Sequence, residues 1–114
     1  MNKSDKKIEN LLVKSLTEVC ETTLHTVAGF EWITHFVNYK HFPQSLSIVC
    51  IFNTEAELQQ IYTSKNDIYL HTLIQDKLSA AGIKLTNIDQ HVSFDTEEAC
   101  TRENNGKWNE RFKH

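Results

Sequence analysis

Six histidines in a chain of 114 residues, His25, His35, His41, His71, His91 and His114, are the side chains best suited to proton transfer or metal ligation near neutral pH. Their spacing decides what they can do. No two stand four apart, the interval that sets a pair of imidazoles on one helix face, and no HExxH segment occurs, so there is no local zinc or iron signature. What remains is a site assembled by the fold. If the strands carrying His35 and His91 turn the same face outward, Asp89 joins them in an acid/base or metal constellation. The alternative is that the histidines are surface or hydrogen-bonded structural residues.

Nucleophilic chemistry has less support. Cys20, Cys50 and Cys100 are odd in number, far apart and set among apolar residues, with no CxxC pair, which fits three reduced thiols. A reactive thiolate wants a cation or a helix N-terminus beside it. Cys20 and Cys50 sit in core patterns instead, and Cys100 has Glu97 and Glu98 for neighbours. The only glycines are Gly29, Gly82 and Gly106, too few for a phosphate loop, and no GxSxG or dinucleotide fingerprint exists. No metal and no cofactor is expected, and a catalytic residue cannot be assigned.

The stronger signal is aromatic. Trp32, Phe36, Tyr39, Phe42, Trp108 and Phe112 exceed what the core of a small sheet requires, and aromatic side chains are enriched at binding hot spots. Trp108 with Arg111 nearby reads as an anchor for a partner, although Trp32 and Trp108 could equally complete the core. The candidate binding residues are Trp32, His35, Tyr39, His91, Trp108 and Arg111.

These residues must be positioned by a few short elements. Apolar residues at three- and four-residue steps from Ile8 to Val27 predict an amphipathic helix over 5–28, capped by Ser4 and stopped at Gly29. It would be about 36 Å long at 1.5 Å per residue. That exceeds what a three-stranded sheet covers, and the overhang predicts packing on a second copy. Residues 31–39 and 47–52 have the composition of a half-buried and a fully buried strand, joined by a loop around the only proline, Pro43. Thr54 and Glu57 have capping-box spacing and open a helix to Thr63. A second helix runs from about Asp67 to Gly82, with Ile68, Leu70, Leu73, Ile74, Leu78 and Ala81 on its stripe. Residues 83–94 then supply the third strand, most clearly 88–94, and Asp95 with Glu98 has the spacing of a cap for a last short helix. The fold class is α+β, a small, mainly antiparallel three-stranded sheet with helices packed on one face, in the order α-β-β-α-α-β-α. The chain is one domain over 1–114, with 1–4 and 107–114 as candidate flexible ends.

The net charge of −3 is unevenly laid out. Residues 1–15 and 102–114 each carry +2, and the middle carries −7. Basic ends could touch phosphates, but a nucleic-acid domain usually shows a basic stripe and a high pI, and here the pI is about 6.0. No apolar run approaches the roughly 20 residues of a membrane span, and the opening segment lacks a signal-peptide core, so a soluble intracellular protein with no membrane partner is expected.

Taken together, GFEWITHFVNYKHFPQSLSIVC (29–50), GIKLTNIDQHVSFDTEEAC (82–100) and NGKW (105–108) resemble a small bacterial protein family whose members often carry the label "Fis family transcriptional regulator". The resemblance implies a bacterial cytoplasmic protein, and the label implies DNA binding through a C-terminal helix-turn-helix. Residues 83–114 read differently, as a strand, a short capped helix and a charged tail, so no DNA-contacting residue carries over. The expectation is a non-enzymatic interaction or regulatory module, a homodimer with an unidentified protein partner. The alternatives are a nucleic-acid-associated transcriptional regulator and a small enzyme using His35, Asp89 and His91.

Overall fold

The computed structural model describes residues 2–113, so the candidate His114 lies outside the described residues. The first helix, α1 (Lys3–Thr26), begins two residues earlier than expected, and its cap is Asn2, not Ser4: the Asn2 side chain accepts the Asp5 backbone N–H at 2.8 Å. Leu12, Leu16, Val19 and Thr23 face the core. The helix is left through Val27 in an extended conformation and Gly29 at φ 86°. The latter is a left-handed backbone that costs a residue with a Cβ about 1–2 kcal/mol.

Strands β1 (Phe30–Phe36) and β2 (Ser47–Phe52) pair antiparallel, with Thr34 opposite Val49 and His35 opposite Ile48. β1 stops short of the 31–39 span expected for it. The Asn38 carboxamide accepts the Lys40 N–H at 3.0 Å and caps a 3-10 turn, Tyr39–His41, so Tyr39 stands on a turn and not on the strand. Phe42 is extended before Pro43, whose peptide bond is cis.

Helix α2 (Glu55–Thr63) opens on the expected capping box, with Thr54 Oγ1 accepting the Glu57 N–H while the Glu57 carboxylate accepts the Thr54 N–H. Helix α3 (Asn66–Ala80) buries Leu70, Ile74 and Leu78 at four-residue steps. Ile68 does not share their stripe. Two residues from Leu70 it stands on the far side of the helix, 57% exposed.

The third strand is the main correction. Residues 83–87 are not strand, Ile88–His91 form one helical turn, α4, and β3 covers only Val92–Thr96. A strand exists only where a ladder partner exists. β2 has six residues, and its pairing runs from Ile48 with Val92 to Phe52 with Thr96. Ile83 and Leu85 are buried against α3 instead, held by the Ile83 N–H on the Leu78 carbonyl and by the Gln75 side chain on the Leu85 carbonyl.

The sheet order is β1-β2-β3, and the second pair is parallel because α2 and α3 carry the chain back to the starting end before β3 begins. The protein is thus α+β with a mixed three-stranded sheet. On one face Ile48, Cys50 and Phe52 pack with Leu12, Leu16 and Val19 of α1, Ile61 of α2, and Leu70, Ile74 and Leu78 of α3. By alternation Val49 and Ile51 point to the other face. That face is covered by the C-terminal helices α5 (Glu97–Asn104) and α6 (Trp108–Arg111), so the segment with no visible partner in the sequence packs on the sheet. The α5 cap is Thr96 and not Asp95: its hydroxyl accepts the Ala99 N–H at 3.0 Å. Among the described residues, no helix is long and apolar enough to cross a membrane.

Candidate functional site

The histidine constellation does not assemble. His35 points at α1, His91 ends α4 with Nδ1–H donating to the Leu46 carbonyl at 2.7 Å, and Asp89 is exposed on α4. β1 and β3 are the two outer strands, so β2 separates the elements that carry His35 and His91. Among the described residues no group of three His, Cys, Asp or Glu could hold a metal ion. The remaining histidines are scattered: His25 and His41 are exposed, and His71 stacks on Phe94 at 5.8 Å with its buried Nε2 unpaired.

The six candidate binding residues divide between the two faces of the sheet. On the α1 face, His35 and Tyr39 converge on a residue that sequence reading did not single out, Glu9. Its Oε1 accepts from His35 Nε2–H at 2.9 Å and from the Tyr39 hydroxyl. Burial raises the Glu9 carboxyl, but the hydrogen bonds from His35 and Tyr39, with the charge of His35, outweigh it and hold the group below its ordinary value. Burial, and after it the hydrogen bond to Glu9, pushes the Tyr39 phenol up to about 12. This cluster pins α1 to β1 and to the turn that follows it. Beside it lies a groove of about 300 Å³ between α1 and the outer edge of β1, lined by Val13, Thr17, Cys20, Glu21, Ile33, Thr34 and His35.

On the opposite face Trp32, Trp108 and Arg111 come together. Both indole N–H groups donate to one oxygen, Glu97 Oε1, at 2.7 and 3.0 Å, and the rings meet edge to face at 5.1 Å. Phe112 stacks on Trp108 and meets Phe36. Arg111 grips Asp95 through two parallel bonds, Nε at 2.6 Å and Nη2 at 2.9 Å, while Nη1 reaches Glu103 and Asn104. The bidentate carboxylate and the second acid raise the guanidinium pKa further, against a smaller opposing effect of burial. Every side-chain nitrogen of this trio has a partner within the chain, so the arrangement serves as a clasp holding the tail to the sheet.

All three cysteines are free thiols, and all are pushed toward the protonated form, first by burial. For Cys50 the value is about 12. Cys20 alone reaches the groove, where it receives the Ile33 backbone N–H, which opposes the effects of burial and Glu21. Cys100 feels the charge of Arg111, but burial, with Glu97 and Asp95, outweighs it, so none of the three thiols is held in the thiolate form that acts as a nucleophile.

No family model, curated protein or solved structure matches the chain.

Glu9 and Glu97 are the residues that organise the two clusters. Glu97 had a usable signal, since a buried indole N–H needs an acceptor and the strand-to-helix junction holds the nearest run of carboxylates. Glu9 had none. It lies 26 and 30 residues from its partners, and nothing local marks it.

Proposed function

We propose that this protein is a non-enzymatic interaction module whose working surface is the groove between α1 and the open edge of β1. One observation carries the reading: Val13 and Leu24 leave 47% and 51% of their surface exposed along the side of α1 that flanks an unpaired strand edge. An unpaired strand edge is a template for association unless the protein covers it. The aromatic residues first favoured for a partner are used internally, so the surface moves from Trp32 and Trp108 to α1 and β1. Of the original six, His35 lines this groove. Tyr39 supports it through Glu9.

The experiment is site-specific photocrosslinking in living cells, with a benzophenone side chain replacing Val13 or, as a control, exposed Lys84. A discrete adduct from position 13 and none from position 84 is the expected result. No adduct from position 13, with the protein folded and abundant, overturns the reading.

A further inference from the structure

The outward face of α1 changes sign along its length. At 100° per residue, Lys3, Lys6, Lys7 and Lys14 fall on the side away from buried Leu12 and Val19, and Glu18 and Glu21 follow them in the second half. The two acids of the first half are turned aside: Glu9 is engaged by His35 and Tyr39, and the charge of Asp5 is felt at the Tyr39 phenol. Among the described residues none of the four lysines takes part in an ion pair, and Glu18 has only Lys77, at 3.5 Å. The outward side of the helix is therefore basic at one end and acidic at the other, with Glu21 toward the β1 groove and Lys14 and Glu18 toward α3. Such a face complements itself in one orientation, antiparallel to its own copy, and a two-fold axis supplies that orientation because it applies the same patch twice.

We infer that the occupant of the α1–β1 groove is a second copy of this chain, docked with its α1 antiparallel and the two-fold axis passing near Val13. The midpoint between Lys6 and Glu21 falls at Val13 and Lys14, so an axis there sets Lys6 and Lys7 of each protomer against Glu21 of the other. Val13 and Thr34 line the same groove, so this axis also brings the two β1 edges face to face. The size is adequate. A standard interface takes about 800 Å² from each partner, roughly a ninth of the 7078 Å² surface. α1 offers a strip about 36 Å long and the β1 edge about 23 Å of strand. The inference rests on the interaction-module reading and names its partner.

Equilibrium sedimentation of the purified full chain tests it, with Lys6→Glu, Glu21→Lys and the double variant beside the wild type. Both side chains are exposed, and a glutamate in the first turn of a helix suits its dipole, so the fold is retained and circular dichroism verifies this. The wild type is expected to be a dimer, each single reversal to weaken it about tenfold, and the double reversal to restore most of the loss, since the pairs re-form with signs exchanged. A wild type that stays monomeric at high concentration overturns the inference, as does a double variant weaker than either single one. The mass of the Val13 adduct separates the two readings. Twice the chain mass supports both, another mass with a monomeric wild type overturns only the second copy, and no adduct removes both.

Discussion

Glu9 and Glu97 each accept two hydrogen bonds at a single carboxylate oxygen, and each does so for residues brought in from distant parts of the chain. The sequence marks Trp32, His35, Tyr39 and Trp108 as candidate contacts for a partner, but the acceptors that hold them within the chain lie too far away in sequence to be read from it. At Glu9 the arrangement has a pH consequence. The folded carboxyl titrates below its ordinary value of 4.5, so ionised Glu9 stabilises the fold above that value. The stabilisation is lost as the pH falls through the lower folded value. Glu9→Gln removes the charge and keeps the shape. Urea unfolding at neutral pH should show the variant less stable by about 1–2 kcal/mol, the range for hydrogen bonds to a charged acceptor with allowance for partial exposure. The gap should shrink as both proteins are taken below 4.5. A gap that does not change with pH would mean that the carboxylate charge is irrelevant to the contact.

Elements whose signals are local were legible, and elements defined by their partners were not. The Thr54–Glu57 box, the α1 stripe and the positive-φ glycines after α1 and α3 are all written within a few residues of one another. The length of β3 and its parallel pairing are set by β2 and by the route through α2 and α3, so a run of alternating residues at 88–94 was mistaken for strand where the ladder had not begun. Gly29 and Gly82 show how much more the tertiary context adds. Both sit at φ 86°, but a Cβ at Gly82 meets open space, whereas at Gly29 it would lie 2.7 Å from Glu57 Cβ. Glu57 is the closing residue of the α2 capping box, so the clash and the cap are coupled. Gly82→Ala should cost about 1–2 kcal/mol for the left-handed backbone. Gly29→Ala should cost at least about 1 kcal/mol more, since it also strains a cap of about that value. Chemical denaturation of the two variants compares them directly, and equal losses would show that Glu57 yields without cost.

For the molecule as a whole, the sheet has two buried faces and only one is covered by long helices. Ile51 is fully buried and Val49 nearly so, on the face where the cover is α5, α6 and the ring of Phe112. A tail of about eight residues cannot show from its sequence that it will dock, because its partners Trp32 and Asp95 lie in other elements and its own apolar content is two aromatic rings. Docking has a clear energetic basis all the same. Trp108 and Phe112 pack on Trp32 and Phe36, and the Arg111–Asp95 pair is bidentate and mostly shielded from water. Ending the chain at Gly106 removes these together and leaves Glu97 with one indole donor and Asp95 without its guanidinium. Helices α1 to α3 and their core face are untouched, so the far-ultraviolet circular dichroism should be nearly unchanged. The loss in stability should be about 3 kcal/mol or more, the scale of deleting a packed aromatic side chain. Trp32 emission should shift to the red as its ring meets water, and the uncovered face should bind a hydrophobic dye or drive association through that face. If the truncated chain unfolds at the same denaturant concentration as the full one, the tail is not part of the folded unit and the second face must be stable without it.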